Sequence, residues 1–232
     1  MRFDVLTVFP ELIEAVSNTS IIGRARENGL VEVNVIDIRD YTKNKHKKTD
    51  DYPYGGGEGM IMTAQPIMDA FLSIVKDLDY KPWVLYMSPQ GKVLNQELVL
   101  KTQKHEHLII ICGHYEGIDE RIIEEIVDEE ISIGDYILTG GELPALVLID
   151  SVSRFIPGVL SNENSNKNES IYNGFLEYPQ YTRPYDYNGK KVPDVLMSGH
   201  HENINKWRLE QSIQRTKRKR PDLYEKYKKG KS

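Results

Sequence analysis

Glycine-containing segments are the parts of the sequence whose residue types and spacing best suit small-ligand chemistry. Three of them follow probable β-strands directly: Ser88–Gly91, Gly113–Gly117 and Ile133–Gly141. In open α/β sheets, ligands bind beyond the carboxyl ends of the strands, and glycine lets a ligand approach the backbone. We therefore expect these loops to form a pocket lined by backbone N–H and C=O groups. Such a lining suits an adenine ring and a ribose better than a triphosphate, although each segment alone is also consistent with an ordinary turn.

A fourth glycine cluster, Gly55–Gly59, does not match a nucleotide-binding motif. Met60 stands where GxGxxG requires its third glycine, and no GK[ST] follows. Kinases and other NTPases are therefore disfavoured. Two interpretations of the cluster stay open: a loop whose backbone approaches a ligand closely, and a flexible glycine turn.

Metal and nucleophile chemistry have little support in the sequence. His114, His200 and His201 lack HExxH or similar spacing, and no GxSxG motif is present. A single cysteine, Cys112, excludes an intramolecular disulfide and a Cys-rich zinc module, and its apolar context predicts an unreactive core thiol. The acidic residues between Glu124 and Glu130 are interpreted as the solvated end of a helix.

The elements that must position these loops alternate between strand and helix patterns. Strands are predicted where β-branched and apolar residues cluster: Phe3–Phe9, Val31–Ile38, Trp83–Met87 and His107–Cys112. Helices are predicted where apolar residues follow helical spacing: Ile21–Asn28, Asn95–Lys104, Ile118–Ile126 and Leu143–Phe155. This alternation predicts an α/β fold with a mainly parallel sheet.

Changes in residue composition and in charge divide the 232-residue chain into three segments. We predict an α/β domain over 1–160, a flexible linker over 161–175, and a small helical domain over 176–232 that contains a helix at Glu202–Lys219. Residues 201–232 carry eleven Lys/Arg against four Asp/Glu, although the whole chain has a net charge of −5. The basic segment is expected to meet an anionic partner, but a solvated helix face is an equal alternative. No apolar run reaches the roughly 18 residues of a membrane span and no signal peptide is evident, so a cytoplasmic protein is expected.

Several longer strings resemble one family, in order and along essentially the whole chain. GHYEGIDER at 113–121 and ISIGDYILTGGELPALVLIDSVSRFIPGVL at 131–160 are similar to the bacterial tRNA (guanine-N1)-methyltransferases, the TrmD type of the SPOUT class. MRFDVLTVFPE, DDYPYGGGEGM, MSPQG, YTRP, VPDVLMSG and WRLEQS add to the resemblance. It implies methyl transfer from S-adenosyl-L-methionine to N1 of the guanine at position 37 of tRNA. It also implies a trefoil knot in the N-terminal domain and a homodimer with active sites across the interface.

The resemblance implies roles for individual residues. The general base is Glu169, followed by Ser170, at a position where the family has an aspartate; the added methylene alters the reach of the carboxylate. Arg154 matches the catalytic arginine and Glu116 the acid near the target base. The family's magnesium dependence has no evident ligands here beyond Glu116 and Glu169. The implied cofactor contacts lie in the same three loops: Tyr86, Met87, Ser88, Pro89, Gly91, Gly113, Tyr115, Gly117, Ser132, Ile133, Gly134, Tyr136, Leu138, Gly140 and Gly141.

Residue chemistry fits these roles. Neutral guanine N1 carries a proton that a carboxylate can remove, and a guanidinium suits negative charge developing on O6. Contacts with tRNA are expected from basic and aromatic residues, which meet phosphates and exposed bases, and from one serine: Lys43, Lys45, Lys47, Lys48, Tyr54, Arg183, Ser198, His201, Arg208 and Arg215. Two alternatives stay open: a SPOUT enzyme that methylates ribose 2′-OH, and an RNA-binding homologue with weak or lost catalysis.

Overall fold

A computed structural model describes residues 1–160, 171 and 174–229 of the chain. The chain divides into two compact units, with the boundary between Ser161 and Asn162. Most of the predicted linker over 161–175, including Glu169, lies outside the described residues, so the predictions for it stay predictions.

The first unit is built on a parallel sheet of five strands. These are β1 (Arg2–Thr7), β2 (Glu32–Asp37), β5 (Trp83–Val93), β6 (His107–Cys112) and β7 (Glu129–Ser132), in the order β2-β1-β6-β5-β7. In the centre, β6 reads HLIIIC and every residue is buried, as is typical of a strand covered on both faces. The predicted α/β fold with a mainly parallel sheet is confirmed.

Helices cover both faces of this sheet. One face packs against α1 (Pro10–Ser17), α2 (Ser20–Glu27), α4 (Gln96–Thr102) and α6 (Glu142–Ser153), and the other against α3 (Ala64–Val75) and α5 (Glu120–Ile126). Side chains of a strand alternate between the faces, so Leu108 and Ile110 join the first core while Ile109 and Ile111 join the second. Packing in these two hydrophobic cores holds the strands in register, and the loops that follow the strands are positioned by it.

A short antiparallel pair crosses the carboxyl end of the sheet. Its strands are β3 (Asp50–Asp51) and β4 (Ile61–Met62), and the glycine cluster lies in the hairpin loop between them. The Met62 N–H donates to the Gly117 carbonyl at 2.9 Å, and the Asp119 N–H donates to the Met62 carbonyl at 2.9 Å. The hairpin is therefore bound to the segment that follows β6.

Several predicted elements differ from the structure. Strand β1 ends at Thr7, before the predicted end, because Pro10 begins α1, where its fixed φ and missing N–H are tolerated. The patterns did not predict α1 or α3, and the strand expected directly before Ile133, which is β7, was predicted without bounds. The acids interpreted as a solvated helix end include Glu129, which instead lies in β7 with its side chain 6% exposed, bound by Lys92 at 2.5 Å and Lys101 at 2.8 Å. Two cations thus permit a buried carboxylate inside this strand.

The second unit contains a short hairpin and three helices among its described residues. The hairpin pairs β8 (Asp186–Tyr187) with β9 (Lys190–Lys191), and the helices are α7 (Asp194–Met197), α8 (His201–Lys219) and α9 (Pro221–Lys229). The buried Thr216 hydroxyl accepts a hydrogen bond from the Leu176 N–H at 2.8 Å, so the segment before the hairpin is bound to α8. Across 1–160, 171 and 174–229, no helix combines the length and apolar character that crossing a membrane requires.

Candidate active site

One large cleft lies at the carboxyl ends of β5, β6 and β7. Its volume is about 1480 Å³, and all three predicted segments line it together with Tyr52 and Tyr54 of the hairpin loop. Every residue that the resemblance implies as a cofactor contact lines this cleft, with the exception of Gly91. Small-molecule pockets commonly measure about 300–1,000 Å³, so the cleft has room for a cofactor and part of a second substrate.

The first segment differs from its prediction. Ser88–Gly91 is not a loop, because β5 continues through it with an irregular register against β7. The buried Ser88 hydroxyl accepts a hydrogen bond from the Gln90 N–H at 3.2 Å. Gly91 lies directly against the backbone of β7, where a Cβ has no space. This packing explains why Gly91 is the one predicted contact outside the lining.

The second segment, Gly113–Gly117, is held by backbone hydrogen bonds from the hairpin. The Glu116 N–H donates to the Met60 carbonyl at 3.0 Å. Tyr115 has a φ of +59°, a left-handed conformation that is uncommon for a residue with a side chain. The Glu116 side chain lines the cleft beside Gly59. The predicted acid therefore lies in the cleft, on a segment whose backbone conformation must be imposed by its neighbours.

Tyr86 of β5 contacts this segment from within the sheet. A Cβ on Gly113 would lie 2.8 Å from the Tyr86 hydroxyl oxygen, so the two can meet only because residue 113 is a glycine. Burial, followed by the negative charge of Glu130, raises the pKa of Tyr86 to about 12. The phenol is therefore neutral at physiological pH, and the backbone of Ile118 provides it with a hydrogen-bond partner.

The third segment, 132–141, is bound to the second. The Gly141 N–H donates to the Gly113 carbonyl at 2.9 Å. Within the segment, the Ser132 hydroxyl donates to the Gly134 carbonyl and accepts from the Gly134 N–H, both at 3.1 Å. The Tyr136 hydroxyl donates to the Ile133 carbonyl at 3.3 Å. The second and third segments thus form one continuous wall rich in backbone groups.

The charges in the lining are mostly negative. Glu116, Glu120 and Glu130 contribute carboxylates, whereas Arg121 is paired with Asp119 at 2.7 Å. Within the part of the chain that the structure describes, no three His, Cys, Asp or Glu side chains are grouped closely enough to hold a metal ion. The arrangement suits a neutral or cationic ligand better than a polyphosphate.

The three predicted catalytic residues do not come together in the described chain. Glu116 lines the cleft, but Arg154 follows directly after the last residue of α6 and is not part of the lining. Glu169 and Ser170 lie outside the described residues. Among the residues that the structure describes, Glu116 is the one of the three that lines the cleft.

The predicted lysine cluster lies in the exposed loop before β3. Three of its four members have carboxylate neighbours, in the pairs Lys43–Asp69 at 3.5 Å, Lys47–Asp40 at 2.6 Å and Lys48–Asp51 at 3.9 Å. Exposed pairs of this kind contribute about 0–1 kcal/mol, so a phosphate can replace the carboxylate at little cost. The fourth member, Lys45, is also exposed.

The second unit holds the remaining predicted tRNA contacts. The Arg208 guanidinium lies 4.8 Å from the ring centroid of Tyr178, and Arg215 donates to the Glu177 carbonyl at 3.4 Å. The other three predicted contacts are exposed: Arg183, Ser198 and His201. Basic and aromatic groups thus occur together in this unit, as in many single-strand RNA sites.

Several residues of the site were not predicted. Gln90, Ile137 and Thr139 line the cleft next to predicted contacts, and their places inside the three segments were the available signal. His114 also lines the cleft, where the sequence had suggested only an unsupported metal ligand. Glu142 is buried beneath it at the start of α6. An acid placed between a glycine pair and an apolar helix was the only sequence signal for Glu142.

Comparison with known proteins gives one consistent result. The family model described as tRNA (Guanine-1)-methyltransferase TrmD matches residues 1–226. A "tRNA (guanine-N(1)-)-methyltransferase" of Ruminiclostridium cellulolyticum is 68% identical over 226 residues, which cover 97% of this chain and 97% of the relative. Proteins of the same name from Lachnospira eligens and Clostridioides difficile are 58% and 55% identical, with 98% and 97% of this chain covered and 96% and 98% of each relative.

Proposed function

The chain belongs to the tRNA (guanine-1)-methyltransferase TrmD family, and from this premise we propose that it methylates N1 of the guanine at position 37 of tRNA, with S-adenosyl-L-methionine as donor. One observation carries the proposal: the three predicted segments meet in a single cleft at the carboxyl edge of the sheet. A cytoplasmic location fits a tRNA substrate.

The cleft fits this donor by its chemistry. Adenine and ribose need edge hydrogen bonds and close approach, which the backbone groups of the second and third segments and the neutral Tyr86 hydroxyl can supply. The bound donor supplies an electrophilic methyl group on a positively charged sulfur. The carboxylates of Glu116 and Glu130 in the lining favour a cation over an anion.

Removal of the proton from guanine N1 falls to the side chains of the chain itself. We assign Glu169 as the general base, a role that typically contributes about 10²–10⁴-fold to the rate. Arg154 stabilises negative charge on O6, because a guanidinium is always charged and presents a rigid set of donors. Glu116 lies near the target base. The described residues contain no group of three His, Cys, Asp or Glu side chains that could hold a metal ion, and no step is assigned to Mg²⁺.

We further propose that the active site is completed in a homodimer. Helices α1 and α6 pack on the same face of the sheet and leave apolar side chains between 44% and 54% exposed: Leu12, Val16, Leu143 and Val147. Helices α1 and α6 contact each other, and exposed apolar side chains on neighbouring helices are typical of an interface. A second copy on this face accounts for Arg154, which follows the last residue of α6 but does not line the cleft of its own chain. We also propose that the N-terminal domain contains the trefoil knot that the resemblance implies.

The dimer can be tested by placing a charge in this face. Val147→Asp is expected to convert the protein to a monomer in sedimentation velocity and to abolish methyl transfer while S-adenosyl-L-methionine still binds. Leu72→Asp, an equally exposed apolar position on α3 at the opposite face of the sheet, is the control. A Val147→Asp protein that stays dimeric argues against this interface.

The tRNA is proposed to contact the lysine loop and the basic second unit through its phosphates. Neutralisation of phosphates by lysine and arginine makes affinity fall with salt. Replacing Lys45 and Lys48 with Gln should therefore weaken tRNA binding and reduce its salt dependence, with binding of the methyl donor unchanged. An unchanged salt dependence would remove this loop from the interface.

The reaction itself is tested with labelled S-adenosyl-L-methionine and two tRNA transcripts, one with guanine and one with adenine at position 37. Label is expected in 1-methylguanosine from the first transcript alone. Glu169→Gln should lower the rate by at least about 10²-fold, whereas Glu169→Asp, which retains a carboxylate, should retain most of the activity. Label in a 2′-O-methyl nucleoside would refute the N1 mechanism.

A further inference from the structure

A buried hydrogen-bond network lies beside the cleft and joins three distant parts of the chain. The Thr7 hydroxyl donates to one oxygen of Glu142 at 2.6 Å, and Nε2 of His114 lies 3.0 Å from the other. Thr7 ends β1, His114 follows β6, and Glu142 lies in the first turn of α6. The Glu142 side chain is 3% exposed. A carboxylate only accepts hydrogen bonds, so Nε2 of His114 carries the proton and acts as the donor.

His114 is fixed by further contacts on its other sides. Its backbone N–H lies 3.2 Å from the Met62 sulfur, and its carbonyl accepts from the Gly117 N–H at 3.1 Å. Its ring packs on Phe9 at a centroid distance of 4.7 Å. Gly140 passes so close to the hydrogen bond between His114 and Glu142 that a Cβ there has no space. The network therefore binds the second segment of the cleft to the third.

The contacts that hold His114 also hold the backbone of the residues next to it. Tyr115, the next residue, holds a φ of +59°, a conformation that persists only where surrounding contacts impose it. Glu116 follows immediately in the sequence. Gly113, Tyr115 and Gly117 are contacts to S-adenosyl-L-methionine that the resemblance implies. If the Nε2–H donor is removed, a buried carboxylate loses a partner, and the second segment loses its side-chain attachment to α6.

We propose that His114, Glu142 and Thr7 form a positioning network that sets the spacing between the second and third segments, and thereby the affinity for S-adenosyl-L-methionine. None of the three is assigned to the chemical step. The inference rests on the proposed function, because it takes the cleft to be the site of the methyl donor.

Two variants with side chains of nearly equal size distinguish the effect of the N–H hydrogen-bond donor from the effect of side-chain shape. His114→Met removes the N–H donor, whereas His114→Gln retains an N–H₂ group that can reach Glu142. Calorimetry with S-adenosyl-L-methionine should give a Kd raised about tenfold for His114→Met, equivalent to about 1.4 kcal/mol, and within about threefold of wild type for His114→Gln. In methyl-transfer assays the loss should appear in the KM for the donor before kcat.

His107, at the start of the strand that His114 follows, provides a matched control. It begins β6, its side chain is 3% exposed, and its Nε2 lies 2.9 Å from Asp4. The strand from His107 to Cys112 spans about 16 Å, so His107 lies at the amino end of β6, away from the cleft. His107→Met should lower the melting temperature but leave the Kd for the donor unchanged. An equal rise in Kd for His107→Met would show a general loss of stability and overturn the proposal.

The remaining outcomes are distinguishable. If wild type binds the donor and the Met and Gln variants at 114 share one Kd, the inference fails while the proposed function stands. If wild type does not bind the donor, both fail. Thr7→Val and Thr7→Ser repeat the comparison on the other arm of the network, should His114→Met not fold. Equal affinities in that pair would count against the network in the same way.

Discussion

Gly59 determines where the side chain of Glu116 can lie, and Gly59→Ala is therefore a direct test of the role of that carboxylate. A Cβ at this position would be 2.5 Å from Cγ and 2.6 Å from Oε1 of Glu116. Carbon atoms in contact prefer a separation of about 3.5–4.0 Å, so the Glu116 side chain must move by about 1 Å. The atoms in conflict belong to the end of a flexible side chain, so the fold can accommodate the change while the carboxylate cannot stay in place.

The magnitude follows from a comparison within the same loop. Gly59 has a φ of +84°, and Gly55 has a φ of +87° with open space around its Cβ position. Alanine at either position bears the same backbone strain, about 1–2 kcal/mol. The two variants should lose similar stability, so their difference in activity isolates the displacement of Glu116. A displacement of about 1 Å in a catalytic arrangement costs up to about 10²-fold in rate.

Steady-state methyl transfer to tRNA measures this difference. The kcat of Gly59→Ala should be about 10²-fold below that of Gly55→Ala, with melting temperatures of the two proteins close together. Equal kcat values for the two alanine variants would refute the argument, since the carboxylate would then tolerate the displacement. A further double variant, Gly59→Ala with Glu116→Ala, should be no slower than Glu116→Ala alone, because the steric conflict no longer has a target.

Three further predictions concern stability and reactivity. Burial acts to raise the pKa of Glu129, but hydrogen bonds from Lys101 and Lys92 outweigh it and hold that pKa below its usual range. A lowered pKa in the folded state stabilises the protein above the unfolded-state value of about 4.3, and this is lost as pH falls further. Glu129→Gln should therefore cost about 1–3 kcal/mol in neutral denaturant titrations and progressively less below about pH 4. Thr216→Val should lower the stability of the second unit by about 1–3 kcal/mol, with Thr216→Ser as control, and differential scanning calorimetry should show no shift in the first unit. Burial raises the pKa of the Cys112 thiol well above its usual range, so iodoacetamide should label it only after unfolding; labelling of the native protein would contradict its burial.

The sheet could be predicted from sequence where burial alone decides the pattern. Strand β6 is a continuous apolar run because helices cover both faces of the sheet. A strand was expected directly before Ile133, but the sequence EEIS of β7, which carries two acids, did not show where that strand begins. Its Glu129 is tolerated because Lys92 and Lys101 come to it from β5 and α4, and such distant neighbours are not visible in a local window. The bounds of β7 therefore depend on charge compensation between residues that are far apart in the sequence.

The cleft could be located from sequence, but its internal contacts could not. Glycine segments after parallel strands must meet at one edge of the sheet, and this geometry brought the three segments together as predicted. Ser88–Gly91 was misjudged because proline and glycine suggest a loop, whereas pairing with β7 keeps the segment in β5. The partners of Glu142 lie 28 and 135 residues away in sequence, and only the folded chain brings them together.

The glycines of the cleft were interpreted as places where a ligand approaches the backbone, but several of them have a different physical role. Gly91 lies against β7, Gly113 against the Tyr86 ring, and a Cβ on Gly141 would be 2.8 Å from the Cα of Cys112. At these positions glycine lets one protein segment approach another. The backbone groups that line the cleft are therefore placed by packing within the protein. If the cleft holds the methyl donor as proposed, little ordering has to accompany binding. It follows that larger residues at these glycines should weaken donor binding by displacing whole segments, even where they do not reach the ligand themselves.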